Sequence, residues 1–406
     1  MEIPEKTKKT VCVMGLGYVG LPTAAILTRH GYRVAGVDIN KSVVETINHG
    51  KIHIAEEGLD ELVSGSVGTG LLTAALEPSA ANIFLITVPT PLKDDFIPNI
   101  DHVLAAAHAL APHVRPGNLI ILESTSPVGT TEKVAAQLAE CGVPLDDIDI
   151  AYCPERILPG NTLSELIENS RIIGGLTPRA SQSAREFYAS FVTGELIVTD
   201  ARTAEMAKLV ENAYRNVNIA FANELSMICD ESGLNVWNVI ECANKHPRVN
   251  ILKPGPGVGG HCVAVDPLFI SHAARDEAKL ISAAHHRNTE KTKWVVDKIR
   301  KAAFEFTRVN HRAPSIACLG LSYKPNSDDI RESPALSIVR QLIREGYDVF
   351  CVDPHITRAL EFYITNTAPS LESGDIIVCL VAHDVFKKVS FPQGAQILDF
   401  CGLTER

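Results

Sequence analysis

The feature that most restricts the fold of this chain is a strand, a glycine-rich turn, a helix and a second strand in direct succession near its start. The apolar run 10–14 leads into G-L-G-Y-V-G, which contains Gly15, Gly17 and Gly20. A helix pattern and a second strand follow, and Asp38 ends that strand. The first glycine makes the turn, the second admits a pyrophosphate and the third lets helix pack on sheet. This order predicts a dinucleotide-binding βαβ unit.

The acid at the end of the second strand indicates which dinucleotide binds. A carboxylate such as Asp38 accepts hydrogen bonds from ribose hydroxyls and repels a 2′-phosphate, so NAD is predicted rather than NADP. Two further strand patterns, 82–88 and 118–122, lead into loops that contain Thr90 and Thr125. Ligands of open α/β sheets lie beyond the carboxyl ends of strands, so both hydroxyls are predicted to line the cofactor groove. Helix capping is the alternative role for them.

Composition excludes several classes of protein. The chain has 406 residues, which predicts two or three domains, and a net charge of -10 without a basic stripe, which argues against nucleic-acid binding. The first ten residues lack the pattern of a signal peptide, and no apolar run approaches the roughly 20 residues that span a bilayer. The ten cysteines are scattered without metal-type pairs. We expect a cytoplasmic protein with reduced thiols, no metal site and no membrane association.

A second glycine-rich segment, 255–267, reads G-P-G-V-G-G-H-C-V-A-V-D-P. It places Cys262 at the end of the loop, after His261 and four residues before Asp266. Glycines lack the Cβ that would keep another molecule from the backbone, so the thiol is a candidate nucleophile. A structural turn with a buried cysteine is the alternative, and the loop alone does not decide between them.

Polar residues also mark a long predicted helix, from about Ala201 to Ser232. Spacings of three and four place one polar series on a single helical face: Glu205, Lys208, Asn212 and Arg215. A solvated face gives the same pattern, but the helix continues with a segment too apolar for a free surface. We expect this helix to connect two domains, which makes Lys208 and Asn212 candidates for the active site.

The predicted fold class is α/β, with two Rossmann-like, doubly wound parallel-sheet domains joined by a long central helix. We expect an NAD-binding domain at 1–200, a helical domain at 201–308 with the cysteine loop, and a nucleotide-binding domain at 309–406. A loop after the strand at 148–152 carries Glu155 and Arg156, which are either site residues or a surface ion pair. The last domain contains two candidate phosphate-binding cations, Lys324 and Arg331.

Several motifs resemble those of the nucleotide-sugar 6-dehydrogenases, the UDP-glucose dehydrogenase superfamily, along essentially the whole chain. They are G-L-G-Y-V-G-L-P-T-A at 15–24, E-S-T-S-P-V-G at 123–129, A-Y-C-P-E-R at 151–156, R-T-A-E-M-A-K-L-V-E-N at 202–212, H-P-R-V-N-I-L at 246–252, the glycine-rich segment at 255–267, Y-K-P-N at 323–326 and D-D-I-R-E-S-P at 328–334. Within the family, G-V-G-G-H-C-V-A-V-D is most similar to the members that oxidise UDP-N-acetyl-D-mannosamine.

The resemblance implies a four-electron oxidation of the sugar 6-hydroxyl to a carboxylate, with two NAD reduced, for surface polysaccharide precursors. It implies that Cys262 captures the intermediate aldehyde and that Lys208 acts as acid or base and stabilises oxyanions. Asn212 would hold the same oxygen, and Asp266 and Glu155 would handle the water and the protons. We expect at least a homodimer built on the long helix, with the segment of His246 reaching a neighbouring subunit.

The resemblance also implies two sets of contacts, one for each nucleotide. Besides the three glycines, the predicted NAD contacts are Tyr18, Val19, Asp38, Thr90, Thr125 and Arg331. Besides Lys208 and Asn212, the predicted UDP-sugar contacts are Arg156, Ile157, Arg215, His246, Arg248, Gly259, Tyr323 and Lys324.

Alternatives remain for both substrate and activity. UDP-N-acetylglucosamine and UDP-glucose are the alternative substrates. A two-electron dehydrogenase of the 2-hydroxyacid or 6-phosphogluconate type would need neither the cysteine nor a second nucleotide domain. A non-enzymatic nucleotide sensor would dispense with Cys262, Lys208 or Asp266, and all three are present.

Overall fold

The computed structural model describes residues 9–54, 56–93, 97–157, 160–356, 360–362, 364–365 and 374–404. The chain divides into two compact units, Met1–Val210 and Glu211–Arg406. Residues 1–8 and 158–159, which belong to the N-terminal segment and to the loop after Cys153, lie outside the described residues.

An eight-stranded sheet forms the centre of the first unit, in the order β3-β2-β1-β4-β5-β6-β7-β8. Its pairs are parallel except β6 with β7, which is antiparallel. The strands are β1 (Thr10–Met14), β2 (Arg33–Val37), β3 (Leu72–Ala75), β4 (Ile83–Ile86), β5 (Leu119–Leu122), β6 (Asp149–Tyr152), β7 (Arg171–Gly175) and β8 (Leu196–Asp200). The sequence reading did not identify β3, β7 or β8; β3 has only four residues, and β8 is largely exposed.

Helices cover both faces of this sheet. They are α1 (Gly20–Arg29), α2 (Lys41–Asn48), α3 (Leu59–Gly68), α4 (Asp101–Leu110), α5 (Thr130–Glu140), α6 (Thr162–Glu168) and α7 (Pro178–Tyr188). Successive strand residues point to opposite faces, so Val11 and Val13 pack in one apolar cluster while Cys12 and Met14 pack in another. Two buried faces explain why β1 is apolar throughout.

The helix α8 (Ala201–Glu231) contains the boundary between the two units. It has 31 residues and ends two residues before Gly233, whose φ of +68° is left-handed. The N–H of Leu234 donates to the carbonyl of Cys229, which closes the last turn as a glycine C-cap does. The predicted helix, from about Ala201 to Ser232, is confirmed within one residue.

The second unit contains a five-stranded parallel sheet in the order β11-β10-β9-β12-β13. The strands are β9 (Ser315–Leu319), β10 (Asp348–Val352), β11 (Ile364–Thr365), β12 (Ile376–Cys379) and β13 (Gln396–Asp399). The helices are α9 (Val236–Ala243), α10 (Asp266–Ala273), α11 (Lys279–Asn310) and α12 (Pro334–Arg344). Alternate residues of β9 again pack in two clusters, Ile316 and Cys318 in one and Ala317 and Leu319 in the other.

The helix α11 is longer than the sequence indicates. The alternating charges at 291–306 predict a helix over those residues, whereas one helix of 32 residues runs from Lys279 to Asn310. Its buried stripe includes two polar residues, Asn288 and Lys291, besides Ala284 and Val295. Polar residues in a buried stripe interrupt the apolar period by which such a helix is recognised.

The predicted fold class is confirmed: two parallel-sheet α/β units, with a long helix at their boundary. Among the residues that the structure describes, no helix is both long enough and apolar enough to cross a membrane.

Candidate active site

The turn between β1 and α1 has the geometry of a dinucleotide-binding turn. Gly15 has a φ of +96°, which favours glycine, and a Cβ on Gly20 would lie 1.9 Å from the carbonyl oxygen of Gly15. A Cβ on Gly17 would meet no protein atom within 4 Å. Packing therefore requires the first and third glycines, while the second lines open space, where the fingerprint places a pyrophosphate. The residues fit an NAD molecule.

Asp38 lies directly after β2, beside that turn. Its Oδ2 accepts a hydrogen bond from the N–H of Leu16 at 3.1 Å, and its Oδ1 accepts from the N–H of Asn40 at 2.9 Å. These bonds orient a partly exposed carboxylate that has further lone pairs for ribose hydroxyls. Tyr18 and Val19, two other predicted NAD contacts, lie in the same turn, and Tyr18 is 48% exposed.

The predicted threonines lie together beyond the carboxyl ends of β4 and β5. Thr90 Oγ1 donates to the carbonyl oxygen of Thr125 at 2.5 Å, so the two loops are tied to each other. The sequence reading missed Thr87, whose Oγ1 lies 2.8 Å from the carbonyl oxygen of Gly15 and 2.9 Å from that of Met14. The sequence does contain a signal for it, because Thr87 directly follows β4, at the edge of the sheet where the cofactor is predicted.

The loop after β6 places Glu155 next to charged groups of the first unit. Its carboxylate accepts from the N–H of Ile157. Burial raises the pKa of Glu155 to about 7, and the positive charges of Lys208 and Arg171 oppose the rise. Arg156 Nη1 donates to the carbonyl of Ser170 at 2.9 Å. Burial thus favours the neutral form of the Glu155 carboxyl group.

A buried charged cluster lies in the same unit, and the sequence reading gave it no role. Arg171 Nη1 lies 3.9 Å from Glu123 Oε1, and the Tyr188 hydroxyl donates to the same oxygen at 2.5 Å. The Arg171 guanidinium also lies 4.9 Å from the centre of the Tyr188 ring. Burial raises the pKa of Glu123, and Arg171 opposes that rise. Glu123 belongs to the E-S-T-S-P motif, which was the available signal.

The first part of the polar series on α8 has two different environments. Glu205 is fully buried, and its carboxylate accepts from the N–H groups of Gly129 and Thr131 at 2.6 and 2.8 Å. It therefore caps the N-terminus of α5, where a negative charge is favourable. Lys208 is 7% exposed, and its charge acts on Glu155.

In the second unit, Cys262 is partly exposed, and its Sγ lies 3.4 Å from Nε2 of His261. The carbonyl of Cys262 accepts from the N–H of Val265 at 3.0 Å and from that of Asp266 at 2.8 Å, so the cysteine leads directly into α10. Asp266 is 3% exposed, and its Oδ2 accepts from Nδ2 of Asn212 at 2.6 Å. The structure thus brings Asn212 of α8 together with Asp266, which follows Cys262 by four residues.

The glycines of this loop make room for the protein itself. A Cβ on Gly259 would lie 2.7 Å from Cβ of Tyr323 and 2.7 Å from the carbonyl oxygen of Glu332. A Cβ on Gly260 would lie 2.9 Å from the Tyr323 ring, and one on Gly257 would lie 2.4 Å from Thr292 Oγ1. Each of these Cβ positions points at atoms of the same unit, so packing within the unit requires glycine at 257, 259 and 260.

Several predicted site residues act electrostatically on Tyr323, which packs against the cysteine loop. Burial raises the pKa of Tyr323, and the charges of Asp329 and Cys262 act in the same direction, whereas Arg331 and Arg215 oppose them. Arg331 donates through Nε to Oδ1 of Asp329 at 3.0 Å and through Nη2 to Oδ2 at 2.6 Å. The Arg331 guanidinium is thus held in a forked ion pair with Asp329. The backbone carbonyl of Arg331 accepts from the N–H of Gly260.

Three predicted substrate contacts are peripheral to this cluster. Lys324 Nζ lies 5.9 Å from the centre of the Tyr323 ring. His246 and Arg248 lie in an exposed turn after α9, where the Arg248 N–H donates to His246 Nδ1 at 3.3 Å. Their predicted reach into a neighbouring subunit stays a prediction.

Models of one family match three consecutive parts of this chain. They are described as the NAD binding, central and UDP binding domains of the UDP-glucose/GDP-mannose dehydrogenase family, and they match residues 9–192, 202–290 and 317–403. The chain belongs to the UDP-glucose/GDP-mannose dehydrogenase family. It is an NAD-dependent nucleotide-sugar dehydrogenase, as the motifs predict.

Individual members of the family are similar to this dehydrogenase over nearly its whole length. An NDP-N-acetyl-D-galactosaminuronic acid dehydrogenase from Ralstonia solanacearum is 52% identical, covering 94% of this chain and 92% of its own. A UDP-N-acetyl-D-mannosamine dehydrogenase from Campylobacter jejuni is 49% identical, covering 96% and 98%. The solved structure of the UDP-N-acetyl-mannosamine dehydrogenase from Staphylococcus aureus is 40% identical, with a TM-score of 0.88 and coverage of 98% and 95%.

Proposed function

We propose that this dehydrogenase oxidises the C6 hydroxyl of UDP-N-acetyl-D-mannosamine to the carboxylate through a thioester on Cys262. The observation that carries the proposal is the accessible Cys262 thiol, next to His261 and at the start of the helix that presents Asp266 to Asn212. A two-electron alcohol dehydrogenase has no use for such a thiol. The names of the Campylobacter and Staphylococcus relatives support this sugar.

The overall reaction consumes the alcohol, two NAD⁺ and one water, and it gives the carboxylate, two NADH and three protons. NAD, when bound, accepts a hydride from C6 in each of the two oxidations. In the first, Lys208 or Glu155 removes the proton of the 6-hydroxyl as the aldehyde forms. Glu155 suits this task because burial raises its pKa to about 7.

The second oxidation depends on the cysteine loop. The Cys262 sulfur adds to the aldehyde carbon to form a thiohemiacetal, and loss of hydride from that carbon gives a thioester. Water then cleaves the carbon–sulfur bond, which releases the carboxylate and returns the thiol. Asn212 donates through one N–H to Asp266, so its second N–H can hold the substrate oxygen, and Asp266 can take a proton from the water.

The relative from Ralstonia supports a second candidate, oxidation of an N-acetylgalactosamine nucleotide, because it is 52% identical to this chain. The test compares kcat/KM for UDP-N-acetyl-D-mannosamine, UDP-N-acetyl-D-galactosamine, UDP-N-acetylglucosamine and UDP-glucose. We expect the mannosamine nucleotide to exceed the others at least tenfold. Preference for the galactosamine nucleotide would replace the first candidate by the second.

The covalent route is tested by counting NADH per sugar and by Cys262→Ser. We expect two NADH per sugar in the native enzyme and at least a hundredfold loss of the overall rate in the variant. Cys141→Ser is the matched control, because this exposed cysteine also lies beside a histidine ring, 3.3 Å from His108 Nδ1. One NADH per sugar, or full activity of Cys262→Ser, would refute the thioester.

A further inference from the structure

The cysteine loop of the second unit is attached to a chain of buried asparagine side chains. Asn216 and Asn223 are fully buried on α8, and Asn288 is 4% exposed on α11. Burying an amide is costly unless it forms hydrogen bonds, so three buried amides together require an explanation. The motifs that define the family site do not include Asn223 or Asn288.

Hydrogen bonds connect these amides from one end of the cysteine loop to the other. The N–H of Gly255 donates to Asn223 Oδ1 at 2.9 Å, and Asn223 Nδ2 donates to Asn288 Oδ1 at 2.9 Å. Asn288 Nδ2 then donates to the backbone carbonyl of Asn216 at 3.1 Å. Asn216 Nδ2 donates to the carbonyl of Val263 at 3.0 Å. Gly255 begins the glycine-rich loop, and Val263 follows Cys262 directly.

The backbone groups at the two ends fix the direction of every bond in this amide chain. The Gly255 N–H can only donate, and the carbonyls of Asn216 and Val263 can only accept. Each side-chain amide therefore has a single orientation that satisfies its neighbours, so the usual ambiguity of an asparagine flip is removed. A neutral, fully directed set of bonds holds geometry without placing a charge near the thiol.

A second residue of α11 supports the start of the loop. Thr292 Oγ1 donates to the carbonyl of Pro256 at 2.9 Å, one turn beyond Asn288. The same oxygen would lie 2.4 Å from a Cβ on Gly257, so the loop backbone lies directly against this helix. The start of the loop is thus held at two successive residues, through the N–H of Gly255 and the carbonyl of Pro256.

We propose that Asn216, Asn223 and Asn288 are positioning residues that set the place of Cys262 by holding both ends of its loop. The proposal rests on the proposed function in one respect, namely that Cys262 reacts with the substrate. It predicts that a break in the amide chain lowers kcat, because a misplaced thiol captures the aldehyde poorly, while KM for the nucleotide sugar changes little.

The decisive variant is Asn288→Asp, which keeps the shape of the side chain. An ionised carboxylate at pH 8 cannot donate to the carbonyl of Asn216, so the chain breaks at that bond. We expect kcat to fall at least tenfold, with KM for the sugar nucleotide within threefold of the native value. Asn310→Asp is the control, since Asn310 is exposed on the same helix and donates only to the carbonyl of Phe306.

A second readout does not depend on catalysis. Iodoacetamide alkylation of Cys262, measured by peptide mass spectrometry with Cys141 of the same sample as reference, reports where the thiol lies. We expect its rate to change at least threefold in Asn288→Asp and to stay unchanged in Asn310→Asp. A lower melting temperature with native kcat and native alkylation of Cys262 would show that the asparagines only stabilise helix packing, and the inference would be wrong.

Should Asn288→Asp fail to fold, Thr292→Val decides, because it removes only the hydroxyl that bonds to Pro256. We expect kcat and the alkylation rate of Cys262 to change in the same way as in Asn288→Asp, but by a smaller factor. Native values for both quantities would overturn the inference. Failure of the proposed function is distinguishable. An active Cys262→Ser variant would refute the thioester, whereas the alkylation rate would still report whether the amide chain places the loop.

Discussion

The turns that follow β1 and β9 share one backbone design. In each unit a glycine with positive φ opens the turn, and its N–H donates to the last residue of the next strand. The N–H after that glycine then donates to an aspartate that follows the next strand. The bonded pairs are Gly15–Val37 at 2.7 Å and Leu16–Asp38 at 3.1 Å in the first unit, and Gly320–Val352 at 2.9 Å and Leu321–Asp353 at 2.8 Å in the second.

The two aspartates nevertheless have different environments. Asp38 is partly exposed, whereas Asp353 is fully buried and also accepts from His355 N at 2.9 Å and from His383 Nε2 at 3.2 Å. Asn326 N donates to His383 Nδ1 at 2.9 Å, so Nε2 carries the proton that faces Asp353. The same turn therefore leaves a carboxylate partly exposed in one unit, where a ribose contact is predicted, and buries it among hydrogen-bond donors in the other.

This comparison predicts its largest effect in the stability of Asp353→Ala. Three donors would lose a buried acceptor, which costs about 3–5 kcal/mol in the free energy of unfolding of the second unit. Asp38→Ala should cost about 1 kcal/mol or less, because water can replace the lost bonds. Both tryptophans, Trp237 and Trp294, lie in the second unit, so their fluorescence during urea unfolding measures Asp353→Ala, and circular dichroism measures Asp38→Ala. Equal losses would show that the two acids are equivalent.

A smaller loss is expected from glycine substitutions. Gly320 has a φ of +83°, and a Cβ there would lie 2.4 Å from Cβ of Val381. Gly320→Ala should therefore destabilise the second unit by about 2–4 kcal/mol. Gly17→Ala should leave stability within about 0.5 kcal/mol, because the added methyl group would meet no protein atom within 4 Å. It should raise KM for NAD, because the methyl group would occupy space where the fingerprint places the pyrophosphate. Urea titration and initial rates measure the two effects, and a destabilised Gly17→Ala with native KM would contradict this reading.

The two aspartates are also expected to differ in their effect on cofactor binding. Asp38→Ala should raise KM for NAD about tenfold, equivalent to about 1.4 kcal/mol, and should weaken the preference for NAD over NADP. His383→Ala, which uncovers the aspartate of the second unit, should leave KM for NAD within twofold. Initial rates at varied NAD and NADP concentrations test both variants. A changed KM for NAD in His383→Ala would mean that the second acid also serves the cofactor.

The smallest effect is expected in the dependence of stability on pH. Desolvation by itself would raise the pKa of Asp353, but hydrogen bonds from His383, from Leu321 N and from His355 N lower it below its usual value. A lowered folded-state pKa stabilises the fold above the unfolded value of about 3.9, and this contribution is lost as pH falls below it. Native protein should thus lose more stability than Asp353→Asn between pH 5 and 3 in fluorescence-detected urea titrations. Parallel curves would contradict this assignment.

Local patterns explain why much of the fold and the geometry of the glycine turn after β1 could be predicted. Gly15, Gly17, Gly20 and Asp38 lie within one βαβ unit, where backbone geometry restricts which residues are possible. The polar pairs behind the site could not be predicted in this way. Tyr188 and Glu123 are 65 residues apart, and so are Asn223 and Asn288. No period or motif relates residues at such separations, and buried polar residues also hid the first half of α11.

The sequence by itself determined two parallel α/β units, the NAD-binding turn, the family and the cysteine on its loop. These follow from short-range steric rules and from motifs whose residues are close along the chain. Only the tertiary structure decided that Tyr323 and Thr292 fill the space beside the loop glycines and that Asp353 is buried against His383. It also decided that Asn216 and Asn223, linked through Asn288, form hydrogen bonds to the loop of Cys262. Solvent access and hydrogen-bond partners depend on segments that meet only when the chain folds, so the role of such side chains is decided there.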